Sequence, residues 1–301
     1  MTGTKNGDGI MTLRNALARI GGNEDLNFLL TNRIPRRFAT RLMGRIAPIE
    51  QPLIRKASLA LWQLFCDVDL SDAADSRFRS LHHAFTRALK PGSRVPDPDP
   101  AVLASPSDAI VGACGRVEDG KLIQVKGMDY ALADLLGDET LGAPYRDGMF
   151  VTLRLTAAMY HRFHAPHDLT VEEVRYISGD TWNVNPIALK RVERLFCRNE
   201  RAPIRVRLER GGHEMLLVPV AAILVAGIRF TFADVGPHIR EGGTRAIPLP
   251  GPVRMRKGEE MGWFEHGSTI ILFAPDGFTL ADGIETGVQI RAGQALMRLP
   301  S

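Results

Sequence analysis

The sequence predicts an α+β protein, with N-terminal helices followed by a mainly antiparallel β domain. Three observations predict it. Apolar residues recur at helical spacing from residue 10 to about residue 90. Pro91, Pro96, Pro98 and Pro100 then punctuate the chain, and from Ala101 onward short β-rich runs alternate with glycine turns. The division falls at residues 95/96, giving a helical region over 1–95 and a β-rich domain over 96–301.

In chain order, Phe38, Leu42, Met43 and Ile46 fall at i, i+4, i+5 and i+8, while Arg37, Arg41 and Arg45 form a separate stripe. This is a short basic amphipathic helix from Pro35 to Ala47, with the proline in the first turn, where a missing N–H costs nothing. A second helix is expected over Leu53–Cys66 and a third over Ser76–Leu89. Strands are expected over Ala109–Cys114, Lys121–Val125, Phe150–Leu155, Ile204–Leu208, Met215–Val225, Ile228–Phe232 and Ser268–Phe273. Helical signal in this half is confined to Tyr130–Leu136 and Ile187–Leu195.

Composition narrows the class. A hydrophobic fraction of 45% over 301 residues supports a buried core. Cys66, Cys114 and Cys197 lie far apart with no C-x-x-C pair, which argues against a disulfide framework or zinc knuckle and fits free thiols in a reducing cytoplasm. The N-terminus shows no signal-peptide h-region. The longest uncharged run, Met215–Ile228, is too short to cross a bilayer. A net charge of +4 does not imply nucleic acid as a partner. Between Arg33 and Lys56, however, seven basic residues face one acid, Glu50. That helix is either a membrane-surface element or a solvated face packed on the core, and the pattern alone leaves both open.

Three sites carry candidate chemistry. Gly267-Ser268 joins a charged segment to an apolar strand; glycine lets the bond bend until the hydroxyl faces the preceding carbonyl, although a tight turn explains the same residues. Tyr160-His161-Arg162-Phe163-His164-Ala165-Pro166-His167 concentrates three histidines, which serve as a base for a weak hydroxyl nucleophile or as satisfied structural groups. No metal is expected there, since the segment lacks a carboxylate or cysteine in ligand spacing. Asp108 is an acid at a turn entering a strand, and a turn cap would account for it.

Taken with Lys126-Gly127, Tyr130, Leu135-Leu136-Gly137, Arg198-Asn199-Glu200-Arg201 and Lys257-Gly258-Glu259-Glu260-Met261-Gly262, these motifs resemble the phosphatidylserine decarboxylase family in order and spacing over roughly residues 100–300. The basic N-terminal helices are similar to that family's membrane-associated region. One departure is His266, where the family often has leucine before Gly-Ser-Thr; it is expected to affect maturation rate and local packing but not cleavage itself.

The resemblance implies that Asp108, His164 and Ser268 form a self-processing triad. Cleavage between Gly267 and Ser268 would give a β chain of residues 1–267 and an α chain of 268–301 that begins with a covalent pyruvoyl group derived from Ser268. His161 would protonate the product carbanion, and Arg162 would steady a phosphate or form a surface salt bridge. The implied partners are phosphatidylserine in an anionic membrane, the chain's own α and β products, and further copies in a homo-oligomer. The implied location is the cytoplasmic face of the cell membrane, peripherally bound, and an anionic lipid substrate favours the membrane reading of the arginine helix. Two alternatives stand beside this: a non-enzymatic module like biotinyl or lipoyl carriers, suggested by Lys257–Trp263 and Gly287–Met297, and a pyruvoyl decarboxylase of another serine phospholipid.

Overall fold

A computed structural model of the chain describes residues 23–32, 35–125, 128–223, 227–265 and 268–300. The helical signal expected from residue 10 to 22, and the motif residues Lys126, Gly127, His266 and Gly267, lie outside the described residues.

Four helices come first: α1 (Glu24–Asn32), α2 (Arg36–Ile46), α3 (Pro52–Phe65) and α4 (Leu81–Phe85). The α3 start is set by Gln51, whose side chain accepts from Ile54 N at 2.9 Å, with Pro52 in the first turn. The third expected helix, Ser76–Leu89, shrinks to α4. Ser80 caps it in an extended conformation, and beyond it the chain is pulled into pairing: Ala73 bridges Leu89, and Lys90 N donates to Asp72 O at 2.9 Å.

The β half contains β1 (Val102–Ala104), β2 (Ala109–Arg116), β3 (Lys121–Val125), β4 (Met128–Ala131), β5 (Met149–Leu155), β6 (Arg162–His164), β7 (Leu169–Ile177), β8 (Ile204–Leu208) and β9 (Glu214–Ala221). It continues with β10 (Ile228–Phe230), β11 (Thr244–Ala246), β12 (Val253–Met255), β13 (Glu260–Phe264), β14 (Ser268–Ala274), β15 (Thr279–Leu280), β16 (Gln289–Ile290) and β17 (Ala295–Arg298). The largest sheet runs β11-β7-β8-β9-β14-β5-β2-β16, with β12 also on β7; smaller sheets are β1-β17-β15, β10-β13-β6 and β3-β4. The pairings between these strands are antiparallel. Helices after residue 100 are short: Tyr130 joins β4 rather than the helix Leu132–Leu136, and the helix expected over Ile187–Leu195 is instead two, Pro186–Leu189 and Leu195–Arg198, the second entered through Arg194 at φ 51°.

Local patterning explains the sheet. In β14, Ile270, Ile271, Leu272, Phe273 and Ala274 are all fully buried, as a continuous apolar run in a central strand requires. In β7 and β8, buried Val171, Val174, Ile204 and Val206 alternate with Glu172, Arg175, Arg205 and Arg207, which pair across the open face; Arg205 meets Glu172 at 2.9 Å. The proline-rich stretch is strapped down rather than loose. Asp97 N donates to Gly293 O at 2.8 Å, and the ring of Pro96 lies where a Cβ on Gly258 would stand.

Candidate active site

The histidine segment is held against the strand that leads to the Gly-Ser bond. β6 pairs with β13, placing His164 opposite Glu260 and Arg162 opposite Trp263, and Phe264 N donates to His161 O at 2.9 Å. β13 tolerates this close packing because position 262 is glycine; a Cβ there would lie 2.0 Å from Arg229 O.

His164 Nδ1 lies 3.0 Å from Gly258 O, and Nε2 lies 3.0 Å from Tyr160 OH. A carbonyl only accepts, so Nδ1 carries the proton and Nε2 of the neutral ring accepts from the tyrosine. Burial lowers the imidazole pKa against the opposing effect of the Gly258 bond, so the ring is neutral at pH 7. In this structure the Gly258 carbonyl orients His164. Asp108 turns instead to Arg94, with Nε to Oδ1 at 2.7 Å and Nη2 to Oδ2 at 2.5 Å, and it also accepts from Ala292 N at 2.9 Å. The aspartate and the imidazole are neighbours without a direct hydrogen bond. A crevice of about 10 Å³, about the room one water needs, is lined by His164 together with Arg94, Ser105 and Ala292.

His161 is fully buried, and its ring lies on Phe85 of α4 at 3.9 Å between centroids. Arg162 reaches Glu260 at 2.9 Å and donates to Thr86 O at 2.9 Å from Nη2, which ties β13 to the end of α4. His167 is spanned by Asp168 O and Pro100 O.

The main chain of Ser268 opens β14, opposite Leu155 of β5 on one side and Ala221 of β9 on the other. Leu155 and Ala222 line a cavity of about 670 Å³ whose far wall is built by Ile46 of α2, Leu61, Trp62 and Phe65 of α3, and Phe85 of α4. The cavity is almost wholly apolar. By register, His161 lies closer along the chain pairing to Ser268 than His164 does, and the crevice at His164 belongs to the opposite end of β6.

Three contributors escaped the sequence reading. Arg94 grips Asp108 and also Asp72 at 3.0 Å, from the proline-punctuated stretch between the helical and β regions. Tyr160 belongs to the histidine segment, and its contact with His164 Nε2 has no local signature. Asn199, fully buried, donates from Nδ2 to Ala221 O at 2.8 Å and so braces the strand end facing Ser268. Gly179 makes room for it, since a Cβ would sit 2.5 Å from the Asn199 carbonyl carbon. The Arg198–Arg201 motif was the available signal for Asn199.

A central strand whose head borders an apolar cavity, with His161 buried behind Phe85 of the cavity wall, is an arrangement suited to an enzyme of apolar substrates, and comparison with known proteins gives the family. A family model described as phosphatidylserine decarboxylase matches residues 81–298. The chain belongs to the phosphatidylserine decarboxylase family, whose members are lyases. It is 36% identical over 274 residues to a phosphatidylserine decarboxylase proenzyme of Xanthomonas euvesicatoria pv. vesicatoria, covering 89% of this chain and 97% of that protein. It is 35% identical to the proenzyme so named in Aliivibrio fischeri, covering 90% and 97%, and 36% identical to that of Shewanella baltica, covering 88% and 94%. The family match takes in the glycine-punctuated hairpins that had suggested a carrier module.

Proposed function

We propose that this chain cuts its own Gly267–Ser268 bond and then decarboxylates phosphatidylserine to phosphatidylethanolamine and carbon dioxide. One observation carries the reading. β13, before the bond, belongs to one sheet, while β14, after it, is central to another, beside the apolar cavity. The two sides of the bond are anchored independently, so a break between them releases neither strand. The α chain of residues 268–301 would stay interleaved through β14, β16 on β2, and β17 on β1.

In the processing step the Ser268 hydroxyl attacks the Gly267 carbonyl, His164 Nε2 takes its proton, and the amide C–N bond gives way to an ester. Elimination across the Ser268 Cα–Cβ bond releases the Gly267 carboxylate. The remaining dehydroalanine takes up water and loses ammonia, leaving a keto group. His164 is suited to this because it is neutral at pH 7 with Nδ1–H held by Gly258; it must exchange Tyr160 for the serine.

Leu155, Ala221 and Ala222 offer neither charge nor nucleophile, so the surroundings fit a reactive keto group kept from water. The pyruvoyl group supplies an electron sink for the carbon that loses carbon dioxide. His161 is the proton donor to that carbon, and the Phe85 ring stands between it and the cavity. Arg162 holds Glu260 and the Thr86 carbonyl rather than a phosphate. The cavity takes acyl chains, and the exposed apolar residues of α2 and α3 rest on the cytoplasmic surface of an anionic membrane. No described helix is long and apolar enough to cross one.

Intact mass of the purified protein tests the reading. Two chains are expected, the smaller beginning at a blocked residue 268; a persistent single chain overturns it. Ser268→Ala is expected to abolish both cleavage and carbon dioxide release.

A further inference from the structure

Arg154 stands on β5 opposite Thr269, the residue after Ser268, and opposite Ile110 on the other flank. Among the described residues it is the one charged side chain that lines the apolar cavity. It makes no side-chain hydrogen bond or ion pair with any described residue. Other arginines of this sheet are engaged: Arg175 with Asp138 and Glu173, Arg205 and Arg207 with Glu172, and Arg201 with the carbonyls of Leu135, Cys197 and Asn199. Burial alone lowers the Arg154 pKa, with no neighbouring charge offsetting it. A guanidinium facing an apolar wall without a counter-ion is costly, and an arriving anion removes that cost.

We propose that Arg154 binds the phosphodiester of the lipid substrate and thereby sets where the serine headgroup meets residue 268. This rests on the function proposed above. Two anionic groups of phosphatidylserine compete for the position, and chemistry separates them. An ion pair to the carboxylate would stabilise the ground state of the group that must leave as neutral carbon dioxide, and so raise the barrier. The phosphodiester keeps its charge throughout, and its oxygens match the planar fork of arginine. Reach agrees as well. Adjacent strands lie about 4.8 Å apart, close to the length of the serine unit that links phosphate to amine. With the phosphate on Arg154, the amine falls towards the head of β14 and the acyl chains extend along Ile46, Leu61 and Phe65.

Arg154→Gln and Arg154→Lys are compared with the wild type using soluble dihexanoyl-phosphatidylserine, with intact mass confirming maturation. Arg154→Gln is expected to mature normally and to raise KM about tenfold or more with a smaller change in kcat, as loss of a charge-assisted contact predicts; Arg154→Lys recovers part of the loss. Binding of dihexanoyl-phosphatidylglycerol, which has the phosphodiester but no carboxylate, is read independently of turnover from tryptophan fluorescence, since Trp62 is in the cavity wall. Arg154→Gln should weaken it by a similar factor. An unchanged KM overturns the proposal. So does a raised KM with undiminished phosphatidylglycerol binding, which would place the carboxylate on Arg154, and so does inorganic phosphate competing as well as the lipid. A wild type that binds phosphatidylglycerol through Arg154 but never releases carbon dioxide refutes the functional reading and leaves the anion site standing.

Discussion

The helical layer and the β body solve the problem of apolar surface in opposite ways. In the β body the strands bury their apolar residues so completely that β9 and β14 are almost wholly inaccessible. Among the described residues the helical layer has a cluster of five buried residues of its own, Ala47, Trp62, Leu81, Ala84 and Phe85. Of the eleven large hydrophobics exposed among the described residues, nine lie between Leu26 and Phe65, with Leu53 at 75% and Phe38 at 66%. Burial is what stabilises a soluble domain, so apolar side chains left in water across three helices mark a surface shaped for something other than the core. The β body carries the candidate site, and the helices give it a wall and an apolar outer face.

Substitutions can break this contrast, beginning with the largest expected effect on stability. Phe273→Ala, in the centre of β14, should cost about 3–5 kcal/mol, read as a fall in Tm of roughly ten degrees. A small effect would mean the β body is looser than its packing indicates.

Glu200→Gln comes next. Burial pushes the Glu200 carboxyl up to about 7. The folded state therefore keeps a proton that the unfolded chain releases at an ordinary carboxylate pKa. Its contribution is fully present below that pKa and is lost as pH rises through about 7. The glutamine variant lacks this loss and should be more stable than wild type by about 3 kcal/mol at pH 8, with the difference fading towards pH 5. Denaturant titrations across that range would show it, and parallel curves would remove the claim.

Trp62→Phe sharpens the contrast at the seam, because the indole N–H donates to Ala157 O at 3.1 Å across the two regions. Its loss should cost about 1 kcal/mol. The smallest effect belongs to the paired change Leu53→Ser and Phe65→Ser: within about 0.5 kcal/mol on stability, with clearly weaker sedimentation on anionic vesicles. A destabilisation of several kcal/mol would show these side chains to be core after all.

Much of this was legible in residue order. The α2 and α3 periodicities, the apolar β14 run and the Gly-Ser junction each declare themselves within ten residues or so. Asp108, His161, His164 and Ser268 were singled out from motifs of known order. Their partners were not. Arg94 sits in a proline-punctuated stretch with no pattern of its own, and only the packing of Pro96 and Asp97 against Gly258 and Gly293 carries it to Asp108. The Gly258 carbonyl has no sequence signature at all, since every residue has one. Arg154 sits in an ordinary strand run, and nothing local reveals that the opposite wall is a set of apolar helices.

By itself the sequence determined the two-part organisation, the strand identity of residues 268–274 and the junction before them, because these follow from period and from glycine, which act between near neighbours. Tertiary structure decided which group orients His164, which cation holds Asp108, and that Arg154 faces an apolar cavity beside Ser268. Those outcomes depend on strand register and helix docking between segments up to two hundred residues apart, where no local pattern carries the information.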